Sequence, residues 1–398
     1  MNHLQKAESV LSHLKSSYDS EGIRLPVHLH EPDFRDTNAI QYVSECINTG
    51  WVSSAGQWVN KFEQQLSVFT GARHVIAVTN GTVALRLALH LVGVRSDDEV
   101  IVPPLSFVAT CNAISHLGAI PHFVDINNRT LSLDTVKLSD RLSHIAIKRE
   151  NKVYNKESGR RIAAIVPVHI FGHPADLDDL MRVSQDWNLP IVEDAAEALG
   201  SWFKDKHCGL TGSVGILSFN GNKLITTGGG GALITNDDLI AKQARHLSTT
   251  AKVSHPWEFY HDSVGWNDRM PNINAALGCA QLEKLHSRLQ LKRKIYSFYS
   301  NLFSKFSYCQ VIEEPTGSVS NYWLVSLRLI EQDLSEVLAL RNALLASAHS
   351  QKIFLRPCWN LLSDLPMYRN CPSGSLSNAK DQVLRLISLP SSPYLLGQ

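Results

Sequence analysis

Lys223 lies in Ser218-Phe219-Asn220-Gly221-Asn222-Lys223, directly before Leu224-Ile225-Thr226-Thr227 and four consecutive glycines, Gly228 to Gly231. Small, apolar and turn-forming neighbours desolvate an amine, and desolvation favours its neutral, nucleophilic form. Schiff-base chemistry needs such an amine, although a solvated lysine in a glycine-rich hairpin fits the same local pattern. Asp194 in Glu193-Asp194-Ala195-Ala196-Glu197 follows an apolar run, at the strand end where ligands collect in open α/β sheets. Its carboxylate could pair with a protonated ring nitrogen or cap the next helix. Asn80-Gly81-Thr82 stands between a predicted strand and a predicted helix, where free N–H groups and the helix dipole favour an anion such as phosphate. The same Gly and Thr also serve a purely structural turn and N-cap. Phe107 reads as a core aromatic, or as a stacking platform if a planar ring lies over that sheet edge.

These residues need a scaffold. Between residues 70 and 200, β-branched runs alternate with segments of helical period, the pattern of parallel strands joined by crossover helices. Strands are predicted at 74–79, 99–102, 120–125, 162–168, 189–193 and 232–235, and helices at 82–91, 106–117 and 176–187. The mixed-charge stretch 148–161 reads as a solvated insertion or exposed hairpin. A nearly proline-free helical stretch over 272–306, a strand at 325–329 and a helix at 335–350 suit a smaller α+β unit. The reading divides the chain into an N-terminal helix and linker (1–27), a large α/β domain (28–255), and a connecting helix with a small C-terminal domain (256–398).

Of the 398 residues 44% are apolar, and the net charge of +1 gives no pull toward nucleic acid or an anionic membrane. No apolar run is long enough to span a bilayer, residues 1–20 lack a signal-peptide core, and seven scattered cysteines contain no Cys-x-x-Cys pair. A cytoplasmic location is expected. No metal is expected: His169 and His173 are separated by Gly172 and followed by Pro174, a poor context for a zinc-binding helix. Neither a dinucleotide fingerprint nor a P-loop is met.

Gly81-Thr82, Phe107, Asp194, Ser218 and Lys223 together are what a phosphorylated pyridine aldehyde requires. With Gly50-Trp51-Val52-Ser53-Ser54, Val192 to Glu197, Ser218 to Gly231 and Asn267 to Ala276, they resemble the DegT/DnrJ/EryC1/StrS sugar aminotransferases from about His28 onward. The resemblance implies a fold-type-I, aspartate-aminotransferase-like three-layer αβα domain with a smaller α+β domain, and pyridoxal 5'-phosphate as cofactor. It implies that Lys223 carries the cofactor as a Schiff base and that Asp194 pairs with the ring nitrogen. Phe107 would stack on the ring, and Gly81, Thr82 and Ser218 would bind the phosphate. Asn267 would reach that phosphate from the second subunit of a homodimer. Glu197 stands where many members have Gln or His near the phenolic oxygen, so a carboxylate there would need a donor, a water or its own proton.

The substrates implied are L-glutamate and a nucleotide-linked keto-sugar. His28 to Pro32, the segment around Arg160-Arg161, Pro167 to Pro174 and Leu355 to Trp359 resemble the LegC branch. That branch aminates C4 of a UDP-linked 2-acetamido-2,6-dideoxy-4-keto-hexose on routes to legionaminic acid or bacillosamine-type sugars. Arg356 and Trp359 are candidate sugar-nucleotide contacts with packing roles as the alternative, and Arg269 could serve either substrate or subunit interface. A GDP- or dTDP-linked acceptor and a non-catalytic cofactor-binding regulator are the alternatives. A related sugar dehydratase would carry histidine in place of Lys223.

Overall fold

A computed structural model describes residues 1–396. Its central sheet runs His74–Val78, Gly231–Thr235, Val214–Ser218, Val192–Asp194, Arg161–Ile165, Glu99–Val102, Ile120–Phe123. Parallel bridges Ile165 to Ile191 and Val168 to Asp194 join its two halves, and Gly231–Thr235 is the one strand of these seven that runs antiparallel to its neighbours. Successive strand residues alternate between two cores, as a pleat of period two demands. Ile76, Val78, Ile216 and Leu233 pack with the helices Gly81–Leu91 and Asp238–Ser248, whereas Val75, Ala77, Leu217 and Ile234 pack with Gln57–Thr70 and Asn272–Leu282. A sheet apolar on both faces has to be covered on both, which produces three αβα layers.

The small unit has a sheet ordered Cys309–Val311, Ser326–Leu329, Leu386–Ser388, Arg356–Pro357, covered by Leu285–Phe303 and Leu334–Ser350. Packing divides the chain differently from the boundaries at residues 27 and 255. The N-terminal helix His3–Ser20 is not a separate arm: Ala7, Val10, Leu11 and Leu14 insert into the small unit's core. The expected helix over 272–306 is two helices, Asn272–Leu282 and Leu285–Phe303, broken at Glu283–Lys284. The first buries Ala275, Ala276 and Cys279 in the large core, and the second buries Ile295, Tyr299 and Phe303 in the small one. The break redirects the chain between two cores without a Pro or Gly to mark it.

The charged segment is a hairpin of Ala146–Arg149 and Lys152–Asn155, turning through Glu150 and Asn151 at φ 47° and 60°. Among the described residues no helix is long and apolar enough to cross a membrane. The two units share a continuous apolar seam in which Leu105, Val168 and Phe171 meet Trp323, Leu324 and Leu386. A cleft lined by residues of both units opens at this seam.

Candidate active site

A cavity of about 340 Å³ lies over the ends of Val192–Asp194 and Val214–Ser218. Gly81, Thr82, Phe107, Asp194, Glu197, Ser218, Lys223, Arg356 and Trp359 all line it. The helix Gly81–Leu91 starts at its wall, with Asn80 Oδ1 accepting the Val83 N–H at 2.9 Å. That cap leaves the Gly81 and Thr82 N–H groups directed to the cavity end of the helix, where the macrodipole attracts an anion. A Cβ built on Gly81 would stand 2.9 Å from Ser218 Cβ. Glycine is therefore required for the strand-end hydroxyl of Ser218 to sit against the helix N-terminus, and the cradle so formed suits a phosphate.

Asp194 is held at the sheet edge by two donors. Thr110 Oγ1 donates to its Oδ2 at 2.8 Å and the Ala196 N–H reaches its Oδ1 at 3.2 Å, while Ser106 Oγ lies 2.9 Å from Thr110 Oγ1. Burial pushes the Asp194 carboxyl above the ordinary carboxylate range, with Thr110, the Ala196 N–H and the charge of Lys223 offsetting part of that rise. Among the described residues no cation stands within ion-pair distance of Asp194, and a protonated ring nitrogen would supply one. Beside it, Glu193 is immobilised by His169 Nε2 at 2.9 Å and by the N–H groups of Gly209, Thr211 and Gly212 at 2.7, 2.7 and 2.6 Å. Glu193 is a fastening of the strand end and faces away from the cavity.

Lys223 Nζ stands 3.5 Å from Glu197 Oε1 and 3.9 Å from the centre of the Trp323 ring. Trp323 is fixed by its own indole N–H, which donates to the Asn222 carbonyl at 2.7 Å. Glu197 Oε2 accepts the Phe171 N–H at 2.8 Å. Burial pushes the Glu197 carboxyl up, opposed by the Lys223 charge and the Phe171 N–H. Phe171 is buried with φ +56°, a conformation a bulky residue seldom adopts, and its ring stacks on Trp359 at 5.5 Å.

Phe107 is 51% exposed and faces the edge of Trp359 at 6.2 Å. The expected helix over 106–117 begins only at Ala109, so Ser106 and Phe107 belong to the turn before it. That displacement frees Phe107 from the core and lets it face the cavity. Asn267 and Arg269 do not join this constellation within one chain. Asn267 is exposed, and Arg269 lines a separate cleft with Trp51, Asn60 and Asn272, so a direct substrate contact of Arg269 in its own chain's cavity is not supported. Thr110, Phe171 and Trp323 were not singled out from sequence. Thr110 alone carried a local signal, its four-residue spacing from Ser106.

Residues 34–398 match the DegT/DnrJ/EryC1/StrS aminotransferase family. A GDP-perosamine synthase of Escherichia coli O157:H7 is 36% identical over 358 residues, covering 90% of this chain and 91% of its own. Among solved structures, Helicobacter pylori PseC, an aminotransferase involved in the biosynthesis of pseudaminic acid, is 25% identical with a TM-score of 0.81, covering 92% of this chain and 93% of that one. A provisionally named sugar aminotransferase, Spr1654 of Streptococcus pneumoniae in its PLP form, is 25% identical with a TM-score of 0.79 over 92% of this chain and 93% of that one.

Proposed function

The chain belongs to the DegT/DnrJ/EryC1/StrS aminotransferase family, PLP-dependent transaminases that act on sugars, and we propose that it moves an amino group from L-glutamate to C4 of a nucleotide-linked 4-keto-6-deoxy sugar. The acceptor in this reading is UDP-2-acetamido-2,6-dideoxy-4-keto-hexose, as the LegC-like segments His28 to Pro32 and Leu355 to Trp359 suggest. The product is a 4-amino-4,6-dideoxy sugar nucleotide made in the cytoplasm for a legionaminic acid or bacillosamine-type surface glycan. The observation that carries the reading is the convergence of an amine, a buried carboxyl and a helix-end anion cradle on one cavity.

Pyridoxal phosphate, when bound, supplies a carbonyl that condenses with amines and a ring that accepts electrons from an adjacent carbon. The residues present fit it. Gly81, Thr82 and Ser218 would hold its phosphate, Phe107 would cover one ring face, and Asp194 would hold a proton on the ring nitrogen. The Lys223 amine would anchor the cofactor and, once released, would carry the proton taken from the α-carbon of glutamate. A second cavity of about 470 Å³, lined by His28, His30, His349 and Phe354, shares Leu29, Asn222, Trp323, Leu324 and Arg356 with the first. It offers room for the nucleotide, with the exposed Arg356 fork at the junction for the diphosphate.

The active unit is read as a homodimer. Asn267 is exposed, and Trp257, Phe259, Tyr260 and Val264 in the preceding segment are 76, 80, 63 and 89% exposed, a surface that a second copy would cover. A GDP-linked acceptor is the second reading, favoured by the 36% identity to the E. coli GDP-perosamine synthase. Incubating the enzyme with glutamate and UDP-, GDP- and dTDP-linked 4-keto sugars, with products read by mass and proton couplings, separates these. Amination of the UDP sugar is expected; turnover of the GDP sugar alone selects the second reading, and no amination of any would end both. Borohydride reduction before digestion should leave the cofactor mass on the Lys223 peptide and on none in Lys223→Ala.

A further inference from the structure

We propose that Glu197 and Trp323 form a holding site for the free amine of Lys223, and that Glu197 Oε1 exchanges a proton with that amine during turnover. This rests on Lys223 being the residue that bears the cofactor and adds a role for its neighbours. When an amino donor, entering as its ammonium, would displace the lysine from the cofactor, the donor's N–H protons would pass to Nζ and the lysine would be freed as an alkylammonium. An alkylammonium is no base until it loses a proton, and in a closed cavity the acceptor must be at hand.

The geometry meets that need. Nζ lies 3.5 Å from Oε1 and 3.9 Å over the Trp323 ring, so a carboxylate and an indole face hold the amine from two sides. The two holders come from different units, Glu197 from the large one and Trp323 from the small one, and each is fastened independently. Glu197 Oε2 is occupied by the Phe171 N–H and leaves Oε1 to the lysine. Trp323 cannot turn without breaking its bond to the Asn222 carbonyl, one residue before Lys223.

Other charged and titratable groups near the pair are Asp194, fastened by Thr110 and Ala196, and His30 and Cys358, which sense Lys223 and Glu197 through space. Among the described residues Glu197 is the carboxylate that stands within ion-pair distance of Nζ, at 3.5 Å. The step is a proton transfer: an Nζ–H bond breaks, an Oε1–H bond forms, and the electron pair stays on nitrogen. The neutral amine would then take the donor's α-proton and become an ammonium; once it had delivered that proton to the cofactor and was neutral again, the carboxyl would return its own proton to Nζ. Burial pushes the Glu197 carboxyl above the ordinary carboxylate range, toward the form that takes up a proton, while the Lys223 charge opposes that rise.

The test uses the full-length apoenzyme, so it does not depend on turnover. Trace acetic anhydride at pH 8 labels free amines, and the label on Lys223 is read by mass spectrometry against that on exposed Lys305. Glu197→Gln keeps an acceptor for the Phe171 N–H but removes the charge, so Lys223 should label several-fold faster than in wild type. Trp323→Leu removes the ring face and should act in the same direction, and it reads the site from the other unit if Glu197→Gln does not fold. Wild-type labelling rates in the folded variants would overturn the holding site. Cofactor trapped on a residue other than Lys223 would instead sink the underlying assignment, whatever the labelling shows.

Discussion

Asp194 and Glu197 are two buried carboxyls within one cavity, and they pull against the stability of the empty protein. Both have folded-state pKa values raised by burial, so the folded form binds protons more readily than the unfolded one. Stability contributed at these sites is therefore highest at low pH and falls as pH rises from the ordinary carboxylate range through the raised values. At neutral pH the apoenzyme carries this cost, and a cationic ring beside Asp194 relieves it. Asp194→Asn should leave the apoenzyme no less stable at pH 7.5 while losing on the order of 2 kcal/mol of cofactor-derived stabilisation, typical of a charged hydrogen bond. Thermal or urea unfolding with and without pyridoxal phosphate measures both quantities. An unchanged cofactor increment would remove Asp194 from the ring nitrogen. Within its own short segment each of Lys223 and Asp194 kept a structural alternative, and it was their combination with Gly81-Thr82, Phe107 and Ser218 that pointed to one cavity, which all of them line. The Thr110 hydroxyl, 84 positions from Asp194, and Trp323, 101 positions from the residue preceding Lys223, were not legible in the sequence, because only the tertiary fold brings them near.

At the scale of elements, the site is a set of strand ends that each turn into a functional loop. The strand His74–Val78 leads to the capped helix at Gly81, Val192–Asp194 ends on its own catalytic candidate, and Val214–Ser218 delivers a hydroxyl. Strand positions were readable from β-branched runs, but the start of the helix after Glu99–Val102 was not. Pro103, Pro104 and the Ser106–Thr110 hydroxyl pair keep that turn open to Ala109, and the apolar period alone extends the helix too early. The Gly81 turn gives the sharpest test of element packing. Gly81→Ala would put a methyl within 2.9 Å of Ser218 Cβ and force the strand end off the helix. Affinity for pyridoxal phosphate should fall at least about tenfold, roughly 1.4 kcal/mol, in an absorbance titration. Inorganic phosphate should compete less well in the variant than in wild type. Wild-type affinity would show that the cradle is not where the phosphate binds.

The whole molecule positions the site by joining two cores along the apolar seam, and beside the site a polar segment clamps them. Asn321 Nδ2 donates to the carbonyls of Glu197 and Leu199 at 2.9 Å each, its Oδ1 accepts the Trp323 N–H at 2.8 Å, and Ser320 Oγ donates to the Gly172 carbonyl at 2.9 Å. One side chain thus ties the loop bearing Glu197 to the residue that covers Lys223. The amide fits because Gly172, at φ +95°, has no Cβ: one built there would lie 1.8 Å from Asn321 Oδ1. In the sequence Gly172 counted only against a zinc-binding helix through His169 and His173, and its partner Asn321 lies in the other unit, so neither periodicity nor local propensity could indicate the contact. Gly172→Ala combines a left-handed backbone with a steric collision and should cost about 3 kcal/mol. Because the collision falls on the clamp, the damage should spread to the cofactor: urea unfolding shifts to lower concentration, and borohydride trapping at Lys223 slows as Glu197 and Trp323 lose their register. Asn321→Ala should restore part of the stability lost in Gly172→Ala by opening space for the methyl, without restoring the trapping rate, since the ties to Glu197 and Trp323 are gone. If the double variant regained both, the clamp would be packing alone; if it regained neither, the strain would reside in the backbone of Gly172 rather than in the contact between the two units.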